Sequence, residues 1–165
     1  MKRVVLACSL VILVTTAACE GNTDSPREIA ALRKAADIAA IQQIEVTFHK
    51  AVSIKSVDLL MTVWADNAVL TVGGRTFVGK SQIRKFWTTT AVPFRPIARH
   101  WISETPAYRT RITVNGDRGT LYFECHFVDV DTRELKVLVA DDAKVSRING
   151  RWLLTNGVTE SANLA

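Results

Sequence analysis

From Ile38 the apolar positions recur at helical spacing through Ile41, Ile44 or Glu45, Phe48 and Val52. Ser25-Pro26-Arg27-Glu28 precedes them with the form of a capping box: a hydroxyl at N-cap, proline at the first helical position and glutamate at N3. No glycine or proline follows until Gly73, so the pattern predicts one long amphipathic helix from about Pro26 to Val52. Ser56 caps a second, shorter helix whose Val57, Leu60, Met61 and Trp64 fall on one face. Past Asn67 the period drops to that of strands: Val69 to Val72, a Gly73-Gly74 turn, then Thr76 to Val78. Gly79 to Thr90 returns to helix, with Ile83, Phe86 and Trp87 on one side. After Pro93 and Pro96 come long alternating segments, Ala98 to Val114, Arg118 to Val130, Lys136 to Ile148 and Arg151 to Val158. They are joined by the turn formers Asn115-Gly116 and Asn149-Gly150. The expected sheet is an antiparallel meander.

The first residues belong to a different pattern. Lys2 and Arg3 precede an apolar run from Val4 to Val14, which is about half of the ~20 residues that a spanning helix needs. Thr16-Ala17-Ala18-Cys19 follows and resembles the lipobox of bacterial lipoproteins. The segment therefore reads as an export signal over residues 1–18, with Cys19 as the lipidated residue and 19–24 as a tether. The folded domain is expected over 25–160, with a short tail at 161–165. The predicted location is the cell envelope, membrane-anchored and facing the periplasm or the exterior. Formal net charge falls from +5 to +3 once Lys2 and Arg3 leave, and no run of like charges occurs, which argues against nucleic acid as a partner. Cys8 leaves with the signal; with Cys19 lipidated, only Cys125 remains, so no internal disulfide is expected.

The order of elements, together with Leu59-Leu60-Met61-Thr62-Val63-Trp64-Ala65-Asp66-Asn67-Ala68-Val69-Leu70, Gly79-Lys80-Ser81-Gln82-Ile83, Arg99-His100-Trp101, Asn115-Gly116-Asp117-Arg118-Gly119 and Asn149-Gly150-Arg151-Trp152, resembles the nuclear-transport-factor-2-like superfamily and its SnoaL-like branch. The resemblance spans roughly 38–158. It implies an α+β, cone-shaped fold, a curved antiparallel sheet wrapped around three helices, with an apolar pocket at the wide end and frequent homodimers. The superfamily hosts isomerases, dehydratases, cyclases and non-catalytic modules, so the fold alone does not give the function.

The hairpin register locates the pocket. A turn centred on Asn115-Gly116 pairs Ile112 with Gly119, Thr110 with Leu121 and Tyr108 with Phe123, which places these on one face with Cys125 and Phe127. Counting back by twos adds Glu104 and His100, although a bulge at Pro106 would reverse that parity. In the next strand Val137, Val139, Asp141, Ala143 and Val145 share the inner face. On this count His100, Glu104 and Asp141 meet inside a cone walled by Trp64, Trp87, Tyr108, Phe123 and Phe127. A carboxylate so enclosed would hold its proton more tightly and could exchange it with an imidazole near neutral pH. The plainer alternative leaves His100 as a sheet histidine, Glu104 at the rim and Asp141-Asp142 at a bulge. Likewise, Glu124 and His126 read as a solvated or dimer-face pair, and Glu45 and His49 as an ordinary surface pair on the helix.

In dehydratase and dehydrochlorinase relatives an acid near the end of the first helix commonly acts with the strand histidine, and here Ser53 takes that place. The sequence lacks HExxH, CxxC, GxSxG and P-loop motifs, and its three histidines lack metal-ligand spacing. Neither a cofactor nor a metal is expected. Three functions remain open: binding a small, mostly apolar ligand, cofactor-independent proton transfer by His100 with a carboxylate, and assembly through an outer face carrying Trp101, Ala107, Tyr122 and Val128.

Overall fold

The computed structural model describes residues 25–163. The export segment, Cys19 and the tether lie outside the described residues. Helix α1 runs Pro26–Ser53, and its capping box forms as expected, with the Ser25 hydroxyl accepting from the Glu28 N–H and the Glu28 carboxylate accepting from the Ser25 N–H. Its first eleven residues are exposed; burial begins in earnest at Ile41. From there Ile41, Ile44, Glu45, Phe48, Ala51 and Val52 face inward. Helix α2 (Val57–Met61) is a single capped turn, and α3 covers Lys80–Thr89.

Seven strands form one sheet: β1 (Trp64–Val72), β2 (Arg75–Val78), β3 (Trp101–Glu104), β4 (Arg111–Asn115), β5 (Arg118–Asp129), β6 (Leu135–Ile148) and β7 (Arg151–Asn163). Their order is β2-β1-β7-β6-β5-β3, with β4 also paired to β5. The fold is α+β as expected, but the sheet is mixed, because β1 pairs with β7 in parallel. Alternation along a strand reports which residues share a face and carries nothing about the direction of a distant neighbour. Trp64, assigned by periodicity to the second helix, instead opens β1.

Both Gly73-Gly74 and Asn149-Gly150 adopt positive φ at the two central positions, as a type I′ hairpin requires. At the β4–β5 hairpin the turn slides by one residue. Asn115 pairs with Arg118, so Gly116 (φ 58°) and Asp117 are central, and Ile112 faces Leu121 rather than Gly119. The pairings shift by two while the faces stay as expected, with Leu121, Phe123, Cys125 and Phe127 buried.

The stretch expected as one strand from Ala98 to Val114 is broken. Single 3-10 turns occupy Pro96–Ala98 and Ala107–Arg109, on either side of β3. Glu104 pairs with His126, an odd-numbered slip from the β4 register, so the parity reverses across Pro106. Trp101 and Ser103 point inward, while Ile102 and Glu104 face out.

Candidate functional site

The curved sheet and the helices enclose a pocket of about 310 Å³. It lies at the small end of the range for ligand sites, roughly 300–1,000 Å³. Phe48 of α1, Phe86 and Trp87 of α3, Trp101 of β3 and Phe127 of β5 supply its aromatic walls, with Val137 and Val139 of β6 beside them. Among the described residues no lysine, arginine or histidine lines it.

Among the described residues one charged side chain reaches this space. Asp141 stands on β6 between Phe123 of β5 and Thr159 of β7, its partners across the sheet. It is 8% exposed. The Thr159 hydroxyl donates to Oδ1 at 2.5 Å, and the Cys125 thiol approaches Oδ2 at 3.5 Å. Burial outweighs these donors and pushes the carboxyl up to about 6. The same burial, with the carboxylate beside it, raises the Cys125 thiol well above its ordinary range, so that thiol is a weak nucleophile.

The expected pocket residues divide. Trp87 and Phe127 line the main pocket; Trp64 and Phe123 lie deeper, around a gap of about 10 Å³ that also touches Asp141. Tyr108 does not line it: it lies on the turn after Pro106 and is 78% exposed.

The expected meeting of His100, Glu104 and Asp141 does not occur. His100 precedes β3 on the outside, where it hydrogen-bonds the exposed Asp131. Glu104 is exposed on the outward side of β3, and only Asp141 is inside. The physical reason is the parity reversal at Pro106, which also turns Trp101 from the outer face into the pocket wall.

The histidine inside is His49, which the sequence reading placed on the helix surface. It is enclosed by edge contacts with Phe48 and Phe123. Nδ1 lies 2.8 Å from Ser103 Oγ and Nε2 lies 2.7 Å from Thr105 Oγ1, with Glu45 Oε1 at 3.5 Å from Nε2. Because the Thr105 hydroxyl donates to the Glu124 carbonyl, Nε2–H donates to Thr105 and Nδ1 accepts from Ser103. Burial, then the charge of His126, holds this ring down to about 4, so it is neutral at pH 7. Burial raises the neighbouring Glu45 carboxyl as well. The signal for this site was present, since Glu45 fell in the apolar stripe and His49 is one turn further along it. Ser53, in the place of the expected acid, accepts the Ser103 N–H at 2.9 Å and fastens β3 to the helix.

On the outer face Glu124 is buried rather than solvated. It accepts from His126 Nε2 at 2.9 Å and from the Tyr122 hydroxyl at 3.0 Å, with Arg109 at 3.5 Å. The His126 bond, aided by Tyr122 and Arg109, lowers its carboxyl. Among the described residues no cluster of three or more His, Cys, Asp or Glu has metal-holding geometry, and no helix is long and apolar enough to cross a membrane.

Comparison with solved structures places this architecture. An NTF2-like protein with a cystatin-like fold from Novosphingobium aromaticivorans matches with TM-score 0.72 and 18% identity, over 87% of this chain and 92% of that one. A protein of unknown function with a cystatin-like fold from Nostoc punctiforme gives 0.66 and 19%, over 78% and 92%. A hexachlorocyclohexane dehydrochlorinase from Novosphingobium barchaimii gives 0.64 and 19%, over 82% and 94%. At such identities the likeness is one of fold. No curated protein matches the sequence. The description "SnoaL-like domain" matches residues 33–156, a span that starts in α1, ends in β7 and contains nearly all of the pocket wall, and the chain therefore belongs to the SnoaL-like domain family.

Proposed function

We propose that this chain is an envelope-tethered SnoaL-like domain that binds a small, mostly apolar molecule in the pocket between α1, α3 and the sheet. The observation that carries this reading is the pocket itself: a cavity of about 310 Å³ with five aromatic walls and one buried carboxylate. Such a lining stabilises an apolar body by about 25 cal/mol per Å² of its buried surface, while Asp141 fixes its orientation. The tether rests on the lipobox-like Thr16-Ala17-Ala18-Cys19 and the short apolar run before it. Native mass spectrometry of the chain purified from the membrane fraction tests both parts. The covalent mass on Cys19 reports the anchor, and a non-covalent adduct that is absent from a Val139→Phe variant reports the occupant. A wild-type chain that is empty, and stays so when small apolar compounds are added, would refute the pocket reading.

A second reading is favoured by the state of Asp141. A buried carboxylate with its proton affinity raised to about 6 has the strength of a general base near neutral pH. Proton abstraction from a bound molecule, in the manner of a cofactor-independent isomerase or dehydratase, would then rest on Asp141 and not on His100. Its signature would be turnover that rises with pH as Asp141 ionises.

A further inference from the structure

The pocket holds an anion and offers it no cation. Asp141 accepts from Thr159 and Cys125, both neutral, and among the described residues no basic side chain lines the cavity. A buried charge is costly unless it is paired, and two neutral donors do not remove that cost. A ligand carrying only a hydroxyl would add one more neutral hydrogen bond. A ligand carrying an acid would be repelled. A ligand with a positive head would cancel the charge, and the walls are suited to such a head. Phe48, Phe86, Trp87, Trp101 and Phe127 surround the same space as Asp141. Phe48 and Phe86 meet Trp87 edge-on at 5.6 and 5.3 Å between ring centroids, so the rings lie at steep angles to one another. Aromatic faces attract a cation that has left water, most strongly when the site is dry.

We propose that the occupant of the pocket is an organic ammonium compound, a protonated or quaternary amine on a small apolar body, with its charge held by the Asp141 carboxylate inside the aromatic walls. This rests on the pocket reading above and specifies its ligand class.

The test is calorimetric titration of the purified full chain at pH 7.5 with compounds matched in size: phenethylamine and benzyltrimethylammonium against phenethyl alcohol and propylbenzene. The cations are expected to bind on the order of tenfold more tightly than the neutral compounds. In Asp141→Asn, which keeps the shape and removes the charge, that preference should vanish while the neutral compounds still bind. The wild-type comparison decides the matter even where the variant folds poorly. Neutral compounds binding as well as the cations would overturn the ammonium assignment and leave the apolar pocket standing. Failure of all four to bind would overturn both.

Discussion

A histidine shut between Phe48 and Phe123 remains neutral at low cost only while both ring nitrogens have partners. The Ser103 hydroxyl donates a hydrogen bond to Nδ1, and among the described residues no other group bonds that nitrogen. Ser103→Ala should therefore cost about 1–3 kcal/mol of stability, read as a lowered urea midpoint with an unchanged slope. A midpoint equal to wild type would show that the Nδ1 bond contributes little. At this scale the sequence was partly legible. Asp141 could be placed inside because β6 runs as one strand from Leu135 to Ile148, so counting by twos along it holds. His100 could not, since its face was inferred by counting through Pro106, and Tyr108 could not, because β4 begins only at Arg111 and a 3-10 turn takes Ala107–Arg109. His49 was missed because a histidine four residues after a glutamate looks like a surface pair, although both belong to the buried stripe.

At the scale of elements, helices and hairpins were legible where the chemistry is local: the capping box, the glycine turns and the uninterrupted alternation. The parallel β1–β7 pair was not, because it joins segments far apart in sequence and depends on how α3 and the turns return the chain. β4, β5, β6 and α1 pack closely around Gly119. A Cβ there would lie 2.4 Å from the Thr113 carbonyl oxygen and 3.2 Å from Val145 Cγ2. A backbone oxygen cannot rotate aside as a side chain can. Gly119→Ala is accordingly expected to destabilise by about 1–3 kcal/mol, with amide exchange fastest across the β4–β5 pair. Wild-type exchange in that pair would contradict the clash.

For the whole molecule, two buried groups set opposing dependences on pH. His49 has its proton affinity lowered from 6.5 to about 4, so it contributes stability that is complete above pH 6.5 and is lost as pH falls through 4. Asp141 has its affinity raised from 3.8 to about 6, so its contribution is greatest below pH 3.8 and declines as pH rises through 6. Each spans a little over two units, on the order of 3 kcal/mol, and between pH 4 and 6 they run against each other. Asp141→Asn removes one side of this balance. Its unfolding free energy should fall more steeply than that of wild type between pH 6 and 4, by ~2–3 kcal/mol, in denaturant titrations at both ends of the range. Parallel profiles for the two proteins would mean that Asp141 titrates normally.

The sheet order also bears on how the protein reaches this state. β7, the last of the described strands, lies between β1 and β6 and contributes Thr159 to the pocket. Until it arrives, β1 and β2 have no attachment to the rest of the sheet, and the earlier part of the chain lacks the centre of its own architecture. Pairings across such long separations form slowly. A polypeptide built this way cannot join the two parts of its sheet until the residues of β7 have been synthesised.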